Sequence, residues 1–125
     1  MKIALLSVCI AVSIAACKRS TPEHSSLVGK WKLTATLADP GDGSGKWQTV
    51  SPLTPSYVEF KGDGTLSYTP SSQNGGGRYL LTSDSTFTLI TDTDSLREFY
   101  RIQGATLTIT PPCYEPCGER YASVN

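Results

Sequence analysis

The sequence predicts an all-β fold, an eight-stranded antiparallel up-and-down barrel. Three observations carry this expectation. Apolar residues recur with period two in short runs bounded by turn residues. Ser, Thr and Gly are abundant, whereas good helix formers are scarce. The connections between runs alternate between tight and long, which in an up-and-down barrel gathers the long ones at one mouth.

The first strand is the clearest. Leu27, Gly29, Trp31, Leu33, Ala35 and Leu37 fall on one face, and Lys30, Lys32, Thr34 and Thr36 on the other. A helix would scatter these residues, whereas a strand with one buried face sorts them. Ala38 to Ser56 then forms a long connection. Tyr57 to Phe60 turns through Lys61-Gly62-Asp63-Gly64 into Thr65 to Thr69, with glycines where a hairpin needs positive φ. After a second long connection, Pro70 to Gly77, the runs Arg78 to Thr82 and Thr86 to Thr91 form a hairpin across Ser83-Asp84-Ser85. A short polar link, Asp92 to Ser95, leads to Leu96 to Ile102, which turns at Gln103-Gly104 into Ala105 to Thr110. A third long connection, Pro111 to Gly118, precedes the last strand, Glu119 to Val124. Closing eight such strands removes the sticky edges of an open sheet.

The segment ahead of the barrel reads differently. Lys2 precedes an apolar run from Ile3 to Ala16. At about fourteen residues it falls short of the roughly twenty that a spanning helix needs. The run fits a secretory signal peptide, residues 1–16. Its end, Ile14-Ala15-Ala16-Cys17, resembles the lipobox of bacterial lipoproteins. That resemblance implies cleavage before Cys17, acylation of its thiol and its new amine, and attachment to a membrane through lipid. Several acyl chains hold a protein stably without a transmembrane helix. Lys18, rather than Asp, follows the Cys, which by the same resemblance implies sorting to the outer membrane of the cell envelope. The periplasmic and surface faces both stay open. Residues 17–26 then comprise the lipidated Cys and a polar, aperiodic tether, and residues 27–125 the barrel.

Four Cys are present. Cys9 leaves with the signal peptide and Cys17 takes lipid. Cys113 and Cys117 remain in an oxidising compartment, where a disulfide is the default. It would close a very small loop and stiffen it locally. A zinc site needs about four ligands, and the single His, His24, lies in the tether. Asp92-Thr93-Asp94 lacks the glycine turn of a calcium loop, so no metal or cofactor is expected. With Lys2 removed, acidic residues outnumber basic ones by one and no basic block exists. That excludes a nucleic-acid partner. A monomer is expected.

Gly29-Lys30-Trp31 at the start of an eight-stranded pattern resembles the lipocalin opening, Gly-x-Trp. In that fold the Trp plugs the closed end, so Gly29 and Trp31 are assigned this structural role. The hairpin Phe60-Lys61-Gly62-Asp63-Gly64-Thr65 and the late Cys pair are similar to those of small bacterial lipocalin-like domain lipoproteins. The resemblance covers residues 27 to 124. Two features depart from it. Arg120 comes early on the last strand instead of near its end, and no closing helix follows. Both imply a shorter barrel with less cavity.

Alternation directs Leu27, Trp31, Leu33, Leu37, Val58, Phe60, Leu66, Tyr68, Tyr79, Leu81, Phe87, Leu89, Tyr100, Ile102, Leu107, Ile109 and Tyr121 inward. So many large groups favour a filled interior, although eight strands leave room for one small ligand. Glu98 shares their parity. A buried carboxylate there would need a partner such as Arg78, Arg101 or Arg120, so a register break turning it outward is expected. No His in the barrel, no free thiol and no nucleophile elbow are present, which argues against an enzyme. The leading expectation is a lipid-anchored protein that binds a small apolar ligand at the mouth. Candidate contacts are Tyr68, Tyr79, Tyr100 and Tyr121, with Trp47 from the first loop either covering the ligand or folding back on the rim. The alternative is a cavity-less barrel that acts as an envelope or surface protein-interaction module.

Overall fold

A computed structural model describes residues 26–70 and 76–124. The signal segment, Cys17 and all of the tether but Ser26 lie outside the described residues. Nine strands follow in order: β1 (Gly29–Ala38), β2 (Lys46–Thr49), β3 (Tyr57–Phe60), β4 (Thr65–Thr69), β5 (Gly77–Leu81), β6 (Thr86–Ile90), β7 (Ser95–Gln103), β8 (Thr106–Thr110) and β9 (Cys117–Val124). All pairings are antiparallel: β1 pairs with both β2 and β3, each strand from β3 to β8 pairs with the next, and β9 returns to pair with β1. Strand β2 is additional. Without it, the other eight close an up-and-down barrel.

Strand β1 organises the closure. One edge pairs with β9 along nearly its whole length. The other edge is divided. Gly29 to Lys32 pair with β3, and Ala35 to Ala38 pair with β2. At the fork, the Leu33 amide donates to the Ser56 carbonyl at 2.8 Å and the Val50 amide to the Thr34 carbonyl at 3.0 Å. Strand β2 lies inside the segment expected to be a loop. Four residues beside a glycine-rich stretch are too few for alternation to register. The bend that returns it to β1 is knit by Asp39. One carboxylate oxygen accepts from the Gly41 and Gly43 amides at 2.7 and 3.1 Å, and the other from Gly45 at 2.7 Å. Donation from Gly45, then Gly41, holds this carboxyl below its usual range.

A β-bulge corrects one part of the expected inward face. Leu33 lies opposite Tyr121 but Ala35 lies opposite Arg120, so Thr34 is an extra residue on β1. Beyond it the two faces exchange. Thr36, opposite Glu119, turns in, and Leu37, opposite Gly118 and Trp47, turns out. Leu81 is a second correction. It ends β5 at the rim and is half-exposed. Glu98 is a third. It keeps the parity of Phe87, its cross-strand partner, and is 9% exposed inside the barrel.

The core comprises Trp31, Val58, Phe60, Leu66, Phe87, Leu107, Ile109 and Tyr121, with Leu27 and Leu89. Each such side chain contributes about 1.5–3 kcal/mol on full burial. Phe60 meets Tyr79 and Phe87 edge-on, at centroid distances of 5.1 and 5.4 Å. Trp31 lies at the end of the tight turns, where its indole Nε1 donates to the Leu27 carbonyl at 2.9 Å. At that end Gly64, with φ +84°, takes a turn conformation open to few other residues. The long connections gather at the opposite mouth. There Cys113 and Cys117 form a disulfide with their Cα atoms 6.1 Å apart.

Candidate functional site

Strands β1, β4 and β9 bring Leu33, Tyr68, Glu119 and Tyr121 around a cleft of about 360 Å³ at the mouth. Ser56, Tyr57, Thr69 and Pro70 form its rim. Alternation explains the inner set. Tyr68 faces Val58 across β3 and β4, Tyr121 faces Leu33 across β9 and β1, and Glu119 lies two residues before Tyr121 on the same face.

The polar groups here form one cluster. The Tyr121 hydroxyl donates to Glu119 Oε2 at 2.5 Å. Burial, then the Glu119 charge, pushes the Tyr121 phenol well above its usual range. Burial, then the charges of Glu98 and Glu119, does the same to Tyr68. Glu98 stands near both. Burial first, and the Glu119 charge second, raises its carboxyl from 4.5 to about 7. No hydrogen bond or ion pair reaches Glu98 from another described residue.

The remaining residues singled out in the sequence lie elsewhere. Tyr79 donates its hydroxyl to the Lys61 carbonyl at 2.7 Å, beside the tight turn of the opposite end. Tyr100 packs on Phe87 at 5.9 Å, and burial, then the charge of Asp84 in another tight turn, raises its phenol. Both point inward but sit below the cleft. Trp47 neither lines nor covers the cleft. Its ring lies on the outer wall, where a Cβ at Gly118 would meet it at 2.9 Å. The Arg120 guanidinium stacks over it at 3.9 Å. Arg120 therefore packs on Trp47, on the outer wall. Asp94 caps its own turn through the Ser95 amide at 2.7 Å. Among the described residues no cluster of three or more His, Cys, Asp or Glu side chains could hold a metal.

Of the inner set, Leu33 and Glu119 were not named as contacts from the sequence, and neither were the four rim residues. Glu119 had a signal, since it shares parity with Tyr121 on the last strand. No protein-family model matches the chain, and no curated protein or solved structure does so either.

Proposed function

We propose that this chain is a lipid-anchored, lipocalin-like binding protein of the cell envelope that takes a small, largely apolar molecule at the barrel mouth. The cleft walled by Leu33, Tyr68 and Tyr121 supports this reading. Its volume of about 360 Å³ lies at the small end of the roughly 300–1,000 Å³ common for ligand sites. Two aromatic rings with hydroxyls beside an aliphatic wall suit a compact apolar body with a polar end.

Ligand binding is tested by thermal unfolding of the purified chain with a panel of hydrophobic amines, alcohols, fatty acids and dyes. A saturable rise in Tm is expected for at least one of them, because a ligand that binds only the folded state stabilises it. Leu33→Trp, which fills the cleft, should abolish the rise. Tyr114, wholly exposed in the disulfide loop at the mouth, favours the second reading, a docking module for another protein. No shift with any compound would support that reading and reject the first. For the anchor, Cys17→Ser is expected to move the protein from the detergent phase to the aqueous phase in detergent partitioning. Unchanged partitioning would exclude lipid on Cys17.

A further inference from the structure

We propose that the mouth cleft recognises an organic cation, with a primary ammonium seated between Glu98 and Glu119 and a compact apolar body against Leu33, Tyr68 and Tyr121. This deepens the ligand-binding reading above and rests on it.

The barrel interior carries two carboxylates and, among the described residues, no cation to match them. Arg120, adjacent to Glu119 in the chain, is turned to the outer wall and held over Trp47. Lys30 likewise lies outside, over the Tyr57 ring at 4.8 Å. Arg78, Arg97 and Arg101 are exposed. Tyr121 satisfies one oxygen of Glu119 and leaves the other. Glu98 is more than nine-tenths buried, with neither a hydrogen bond nor an ion pair from another described residue. It does not line the cleft itself, but it faces inward, close enough to Tyr68, Tyr121 and Glu119 for the charges to act on one another. No buried polar oxygen there is left without a partner, so the Glu98 oxygens keep contact with the space inside the barrel.

An unpaired carboxylate in such a place is costly, and a fixed partner charge would remove the cost. An ammonium supplies that charge and three donors, and the two tyrosine rings can face it as well. An anionic ligand would be repelled. A hard divalent ion would want six or more oxygen ligands, more than two carboxylates and two phenols provide beside an aliphatic wall. The groups that face the pair are Tyr68 from β4, Tyr121 from β9 and each other from β7 and β9. The competing state is a single proton shared by the two acids.

Isothermal titration of the purified full chain at pH 7.5 with three matched probes separates these states. The probes are 2-phenylethylamine, 2-phenylethanol and phenylacetate. The amine is expected to bind at least about tenfold more tightly than the alcohol, with no measurable binding of the carboxylate. Glu98→Gln and Glu119→Gln should each weaken the amine by about tenfold or more and leave the alcohol within about twofold. Circular dichroism of both variants verifies that they fold. Equal binding of amine and alcohol, unaffected by either variant, would overturn the cation proposal and leave the cleft as a ligand site. Failure of all three probes would overturn both.

Discussion

Replacing Trp31 by alanine is expected to lower the unfolding free energy by about 3–5 kcal/mol, the usual cost of truncating a core aromatic residue. The side chain is fully buried, between Val58 of β3 and Ser123 of β9, so its removal opens a void that backbone pairing on both edges of β1 keeps from collapsing. The Leu27 carbonyl also loses its donor. For a domain of this size, with roughly 5–15 kcal/mol of total stability, the variant would lose between about a fifth and all of it. Trp31→Phe isolates the hydrogen bond. It retains most of the apolar bulk and should cost roughly 1–3 kcal/mol for the unsatisfied carbonyl and the smaller ring. Urea unfolding followed by far-UV circular dichroism measures both. A cost for Trp31→Ala under about 1 kcal/mol would mean that the closed end does not depend on this residue.

The second large effect has the opposite sign. Glu98→Gln is expected to stabilise the protein at pH 8 by roughly 1–3 kcal/mol. The Glu98 carboxyl binds its proton more tightly in the folded chain, with a value of about 7 against an ordinary 4.5. Between these two values the folded state holds more protons than the unfolded state, so stability falls as pH rises. The contribution is fully present below about 4.5 and is lost as pH climbs through 7. Each pH unit is worth about 1.4 kcal/mol, which sets an upper bound near 3 kcal/mol. Residual solvent contact and coupling to Glu119 reduce it. Glutamine removes the ionisation and should flatten the profile between pH 5 and pH 8. A wild-type stability that is constant over that range and equal to that of the variant would show that Glu98 carries no such strain. A residue that costs stability at neutral pH is the kind that function retains.

Much of the barrel was legible because one face of several strands is dry. At 57–60, 86–90 and 106–110, alternation alone sorts inside from outside, and the structure follows it. The Thr34 bulge was not legible. Threonine suits an outward strand position as well as a bulged one, and a register shift leaves no mark in a single sequence. Its consequence, Leu37 facing out, followed unseen. Glu98 was misjudged for a different reason. Parity placed it inside, and the cost of burying a carboxylate argued it out again. The barrel instead tolerates the acid beside a cleft that reaches water.

The site was partly legible on the same grounds. Tyr68, Tyr79, Tyr100 and Tyr121 share the inner face, but strand tilt decides their height in the barrel. Two reach the cleft and two pack near the floor. Trp47 belongs to a strand too short to detect, so its seat on Gly118 and Arg120 could not be read.

The single inserted residue in β1 has a broader outcome. A strand with unbroken alternation presents one side to the interior for its whole length. By slipping one position at Thr34, β1 lends its first half to the greasy plug and its second half to an external ledge built from Leu37, Trp47 and Arg120. In the same step the interior gains Thr36 opposite Glu119, where unbroken pairing would have set Ala35. One backbone irregularity thus adds a hydroxyl to the upper interior and an aromatic ring to its outer wall.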